Sequence, residues 1–236
     1  MDAVGFLRKN QHEYIEYRRG ADFNGEFRIF TMVDADLGGC HVRGKNGNSV
    51  MAGVTFVNGS HCYSYSKTIK ATCLGTHHTE YYGLTEGGQM TIWIACVLRD
   101  LEFPVSYPIP IVADNQSALA TACVPETKNS RHINLREHWI RDVMEKGDLV
   151  VGFIRGVMNA ANVGTKILPR AQFQKEGGWY LRGIHGEDYQ DEIQCTLSEL
   201  WMRSHQWHVE KEREAAKHDN SDSDTKKSKQ KGSGGA

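Results

Sequence analysis

At 236 residues, with 39% hydrophobic and 24% charged residues, the chain has the balance of a soluble globular protein and enough length to bury one full core with some appendage. No apolar run approaches the ~20 residues that span a bilayer, and the N-terminus lacks an apolar stretch followed by small residues, so the reading is intracellular. A net charge of −1 lacks the basic footprint of a strong nucleic-acid binder, so such a partner must be held locally, with metal ions helping.

In chain order, EFRIFTMVDAD (26–36) is rich in strand formers and ends on two acids, as a strand delivering side chains to one end of a sheet would. A turn follows at 44–48. SVMAGVTFVNGSHCYSYSKT then predicts two strands joined at Asn58-Gly59, which makes three antiparallel strands. From Thr79 to about Leu101, Met90, Ile94, Val97 and Leu101 recur at helical spacing, and Phe103-Pro104 ends the run. YPIPIVAD (107–114) is a continuous apolar run closing on an acid, as in a buried parallel strand. NQSALATA predicts a short helix. In RHINLREHWIRDVMEKG, Leu135, Trp139 and Val143 share a helical face and Gly147 stops it. LVVGFIRG (149–156) predicts another strand, with a short helix around Asn162.

Beyond Pro169 the pattern weakens. GGWYLRGIHGEDY (177–189) reads as a loop, and the stretch from Asp191 reads as an amphipathic helix with Ile193, Leu197, Leu200 and Trp201 on one stripe, packing on the body or on a partner. From His218 the composition is that of a disordered tail. The division expected is a leading segment at 1–25, a domain at 26–170, an extension at 171–217 and a tail at 218–236. Six cysteines without any C-x-x-C pair read as buried free thiols, and eleven histidines match no zinc spacing.

Three acids stand at comparable places: Asp34 ending the first strand, Glu80 opening the long helix, Asp114 ending the fourth strand. Strand ends and helix starts on one edge of an open sheet converge, and carboxylates crowded there must be offset by cations. Oxygen-only ligands favour Mg2+ or Mn2+ over zinc, and two such ions ~4 Å apart can activate a water and stabilise a leaving oxygen in phosphodiester cleavage. Singly, an acid ending a strand reads as a turn residue or helix cap. Asp36 reads as a turn residue, or as one that supports the ligands from behind, rather than as a ligand.

The words VDADLGGC (33–40), TEYYGL (79–84), ADNQSAL (113–119), RHINLREHWIRD (131–142) and NAANVGTK (159–166), in that order, resemble the ribonuclease H domain of Ty1/copia-type retrotransposon Pol polyproteins. The resemblance covers roughly residues 5–170, and the leading FLRKNQHEYIEYRRGAD is similar to the connection that follows reverse transcriptase there. It implies an α/β ribonuclease H-like fold, a five-stranded mixed sheet with strands one to three antiparallel and helices on both faces, the order read above from the residues. It implies a Mg2+-dependent endonuclease acting on the RNA strand of an RNA/DNA hybrid, recognised by backbone shape and 2′-hydroxyls. Asp34 would bridge two metal ions, Glu80 and Asp114 would hold the ion on the leaving-group side, and position 162 would complete the ion that activates the water. Lys67, His132, Arg136 and Lys166 are the substrate-contact candidates, against a plain solvated or capping role for each. Reverse transcriptase, in cis or in trans, is the implied partner, a virus-like particle one implied setting, and the helix at 190–217 a second contact surface.

The chain departs from the family pattern N-P-A-D-x-x-T-K at Ala160, in place of proline, and at Asn162, in place of the last acid; His78 stands where a further acid is common. An amide oxygen lacks the charge that holds an ion and orients a water, so weaker metal occupancy and a slower reaction are expected. Three readings of Asn162 stand open: a degenerate or domesticated copy, an engineered isosteric change, and a natural site compensated by His132 or His138. A non-catalytic descendant that serves as a binding or structural module is the competing function. The starting Met with no polymerase ahead of it favours the module, and the retention of Asp34, Glu80 and Asp114 favours the enzyme.

Overall fold

The computed structural model describes residues 17, 25–39, 47–123, 135–182, 193, 195–200 and 202–203. Most of the leading segment, His132, Trp201 and the expected tail at 218–236 lie outside these described residues.

A five-stranded sheet organises the chain: β1 (Ile29–Asp36), β2 (Val50–Val57), β3 (Ser60–Thr68), β4 (Ile109–Ala113) and β5 (Leu149–Phe153), in spatial order β3-β2-β1-β4-β5. The β1–β2 and β2–β3 pairs are antiparallel, whereas β1–β4 and β4–β5 are parallel. The β2–β3 hairpin turns at Asn58 and Gly59, both at positive φ (49° and 80°), the conformation a two-residue hairpin needs for its twist to match the strands. This is the ribonuclease H-like arrangement expected from the sequence.

Period-two alternation splits β1 between two cores. Ile29 and Val33 face a cluster built with Tyr81, Leu84, Ile94, Ile140 and Val143, from α1 (Thr76–Asp100) and α3 (Leu135–Glu145); Ala118, Leu119 and Ala122 of α2 (Gln116–Cys123) join it. Phe30 and Met32 face the opposite cluster with Met158, Ala160, Trp179, Ile193, Leu197 and Leu200. That second layer contains the short helix α4 (Asn162–Thr165) and the longer α5 (Arg170–Arg182). The described residues after 170 therefore pack on the sheet, with Ile193, Leu197 and Leu200 buried as the stripe predicted.

Three expectations are corrected. Residues 177–182 belong to α5 rather than to a loop, because burial of Trp179 against the sheet outweighs the cost of about 1 kcal/mol for each glycine in a helix. The buried face of α1 is not the Met90–Ile94–Val97–Leu101 line. It runs through Leu84, Gly87, Gly88, Thr91, Ile94 and Ala95, while Val97 and Leu101 are exposed, since glycine and threonine carry the close approach to the sheet. A Cβ at Gly87 would lie 2.3 Å from Val33 Cγ1, and Thr91 shares a hydroxyl hydrogen bond of 2.6 Å with Thr31, which meets Thr55 at 2.8 Å. The third concerns the thiols. Among the described residues they are free but not buried: Cys62, Cys123 and Cys195 are exposed, and Cys73 and Cys96 half-buried.

The C-terminal end of α1 closes with Phe103 N–H donating to the Leu98 carbonyl at 2.9 Å and Glu102 N–H to that of Arg99 at 2.9 Å, Glu102 taking a left-handed φ of 64°. The helix thus stops where Phe103-Pro104 predicted. Among the described residues no helix is long and apolar enough to cross a membrane.

Candidate metal centre

Parallel pairing brings the first two acids together. Met32 stands opposite Val112, so two residues further along each chain Asp34 and Asp114 leave neighbouring strands at the same end and on the same side. Glu80 arrives from the first turns of α1, whose close approach to β1 requires the absent side chain of Gly87 and not that of Gly83. A Cβ at Gly83 would meet only ordinary contacts with Asp34 and Ala35, at 3.6 Å or more. Carboxylate oxygens of Asp34, Glu80 and Asp114 all lie within 4.8 Å of one another. Asp36, the last residue of β1, stands outside this group.

Two of the three are buried, Asp34 1% and Glu80 4% exposed, and Asp114 is half-buried. Burial, and then the charges of Asp34 and Asp114, push the Glu80 carboxyl up to about 8, with partial relief from Lys166 and from a hydrogen bond to the Ala35 backbone. Asp114 is likewise raised, by burial first and Asp34 second. Glu80 Oε2 is buried and has no hydrogen-bond partner. A buried, unpartnered oxygen on a carboxylate that clusters with two others fits a hard cation with oxygen ligands, the ligand set that Mg2+ and Mn2+ prefer.

The fourth position arrives on α4. Asn159 ties this segment to β1, its Nδ2 donating to the Val33 carbonyl at 2.8 Å and its Oδ1 accepting from Ala161 N–H at 3.1 Å. Ala160, in the place of the family proline, donates its N–H to Met32 Sδ at 3.4 Å. Asn162 is 5% exposed, and both ends of its amide are engaged. Nδ2 donates to the Gly156 carbonyl at 2.6 Å, and Oδ1 accepts from Lys166 Nζ at 2.7 Å. The same ammonium donates to Asp34 Oδ1 at 3.1 Å, and Thr165 Oγ1 donates to Asp34 Oδ2. Burial alone would lower the Lys166 ammonium, but Asp34, followed by Asp114 and Glu80, outweighs it, and the pKa is raised. Gly156 is needed for space, since a Cβ there would sit 2.8 Å from Asp114 Oδ2.

Of the substrate-contact candidates, only Lys166 joins the cluster. Lys67, on β3, pairs with Glu86 and lies over the Tyr65 ring, 5.0 Å from its centroid. His132 lies outside the described residues, and Arg136 is placed only as a residue near the start of α3. Gly156 and Thr165 were not anticipated. Thr165 and Lys166 follow Asn162 by three and four residues, the spacing that stacks side chains on one helical face, and that spacing was the signal available.

Strand order and the carboxylate-lined end of β1 and β4 define the class of protein: a ribonuclease H-like domain with a candidate metal centre. Sequence comparison finds the chain similar to a stretch of a retrovirus-related Pol polyprotein. The retrovirus-related Pol polyprotein from transposon TNT 1-94 of Nicotiana tabacum is 31% identical over 148 residues, covering 60% of this chain and 10% of that polyprotein. The chain therefore spans about a tenth of that relative's length. No family model matches. Similar solved structures include LC11-RNase H1 isolated from compost (20% identity, TM-score 0.42) and RNase H1 from the halophilic archaeon Halobacterium salinarum NRC-1 (15%, TM-score 0.37). Each covers 57% of this chain and 90% of its own.

Proposed function

We propose that this chain is a metal-dependent endonuclease domain of ribonuclease H type that hydrolyses the RNA strand of RNA/DNA hybrids, with Mg2+ as the ion and Mn2+ as its substitute. The observation that carries the reading is the gathering of Asp34, Glu80 and Asp114 within 4.8 Å, with Glu80 Oε2 buried and unpartnered. A purely structural domain gains nothing from three clustered, mutually repelling acids, whereas a cation site requires them. The resemblance of the ordered sequence words motivates the RNA/DNA hybrid as substrate and reverse transcriptase, in cis or in trans, as the associated activity, and the similarity to a Pol polyprotein supports this reading.

Asp34, Glu80 and Asp114 would hold the divalent ion, which supplies Lewis-acid charge at the scissile phosphate and acidifies a bound water. The chain's own part is positional. The Thr165 hydroxyl and the Lys166 ammonium fix the two oxygens of Asp34, and the absent side chain of Gly156 leaves room for Asp114. In the two-ion form of the reaction the second ion would lie between Asp34 and position 162, where this chain offers a neutral amide; the activity is correspondingly slow. Lys67, His132, Arg136 and Lys166 are proposed phosphate contacts along the hybrid.

The competing reading, a non-catalytic module, is favoured by the engagement of both ends of the Asn162 amide. Incubation with a labelled RNA/DNA hybrid in Mg2+ and in Mn2+ separates the two. Slow cleavage by the protein that vanishes in Asp34→Asn and Glu80→Gln, purified in the same way, supports the enzyme. Cleavage equal in all three is a contaminant, and silence in all three leaves the module.

A further inference from the structure

Away from the carboxylates, the second half of α1 carries an apolar surface that the sheet does not use. Trp93 is 57% and Leu101 61% exposed, and Val97, Phe103 and Tyr107 are exposed as well. At ~100° per residue, Met90, Trp93, Val97 and Leu101 lie along one line of the helix, about 130° round from the buried line through Leu84, Thr91 and Ala95. A lone exposed leucine needs no explanation, but a continuous apolar line along a helix marks a contact surface.

We propose that this line is the seat of the chain's own leading segment, residues 4–15. The chain arrives at the foot of the line. Phe27 N–H donates to the Pro104 carbonyl at 2.7 Å, Ser106 N–H donates to the Phe27 carbonyl at 3.0 Å, and the Phe27 and Phe103 rings lie 5.0 Å apart. Residues ahead of Gly25 therefore start beside the end of α1 that carries Leu101. The distance from Leu101 to Trp93 is ~12 Å at ~1.5 Å per residue, which a few residues of extended chain span. Val4, Leu7, Tyr14 and Ile15 fall on one face at helical spacing, and Leu7 and Ile15 stand eight positions apart, as Trp93 and Leu101 do. Tyr17, 68% exposed, falls outside that face. Charge runs the same way: Asp100 and Glu102 are exposed where the chain arrives, and Arg18 and Arg19 lie within seven positions of Gly25. A tethered segment also competes at an effective concentration on the order of mM, well above that of a second copy in dilute solution.

Photocrosslinking of the purified full chain, with benzoylphenylalanine at position 93 and mass spectrometry of the products, tests the proposal without recourse to activity or metal. The expected product is a link within one chain to a peptide from residues 4–15, its yield falling at least about fivefold in Leu7→Ser/Ile15→Ser, since two apolar side chains leave the contact. A second measurement leaves the leading segment unaltered: trypsin is expected to cut after Arg8 and Lys9 about fivefold faster in Leu101→Ser than in the unaltered protein, because cleavage follows the population of the undocked form. Circular dichroism establishes that each variant is folded. A crosslinked dimer as the main product would give the surface to a second copy. That result, links only to other parts of the chain, an undiminished yield in the folded double variant, or an unchanged cleavage rate in Leu101→Ser would each overturn the proposal.

Discussion

Glu80 is the residue at which the site's cost is concentrated. Its carboxyl is raised to about 8 by burial and by Asp34 and Asp114. A carboxyl raised above its unfolded value favours the protonated form in the folded state, so its contribution to stability is present at low pH and is lost as pH rises toward the folded value. Asp114 acts in the same direction. The melting temperature of the metal-free protein is therefore expected to fall between about pH 5 and about pH 8, and Glu80→Gln, which stays neutral, is expected to flatten much of that slope. Thermal melts across this range check it; a slope unchanged in the variant would mean the cost lies elsewhere. The three acids themselves were legible because each ends or opens a periodic element. The bridge from Lys166 to Asp34 was not. It depends on the angle at which α4 lies against β1, which Asn159 sets through the Val33 carbonyl 126 positions away.

Among the elements, α1 decides how close Glu80 comes. Its approach face is written in glycine and threonine, so a hydrophobic pattern alone placed the buried stripe on Val97 and Leu101, which are exposed. Glycines on two helices make opposite predictions. At Gly87 an added methyl would meet Val33 Cγ1 at 2.3 Å, and Gly87→Ala is expected to destabilise by about 1–3 kcal/mol through overpacking. At Gly178 in α5 nothing lies within 4 Å of an added Cβ, and Gly178→Ala is expected to stabilise by about 0.5–1 kcal/mol through helix propensity. Denaturant unfolding of both variants checks the pair; the same sign for both would contradict it. The Gly177-Gly178 dipeptide also explains the loop expected there: it is a breaker signal, overridden by the tertiary contact of Trp179.

For the whole molecule, β1 is buried on both faces and the sheet needs both layers. The motif words end near residue 166, and nothing in them required the chain after Pro169. Yet Trp179, Ile193, Leu197 and Leu200 share a core cluster with Phe30, Met32 and Val112. The order of strands and helices was readable from periodicity and turn residues, whereas the second layer rests on contacts between distant segments that no local pattern carries. Trp179→Ala, which removes a side chain only 7% exposed from that layer, is expected to cost about 3–5 kcal/mol in denaturant unfolding. A loss below about 1 kcal/mol would mean that α5 does not belong to the same core.

The claim on which the functional account stands is that Asp34, Glu80 and Asp114 share one divalent ion, and anomalous diffraction from crystals soaked in Mn2+ tests it most directly. The account predicts a peak in contact with a carboxylate oxygen of each of the three residues, present in the unaltered protein and lost in Asp34→Asn. A map without density at the cluster, or with its peak elsewhere on the protein, would contradict it.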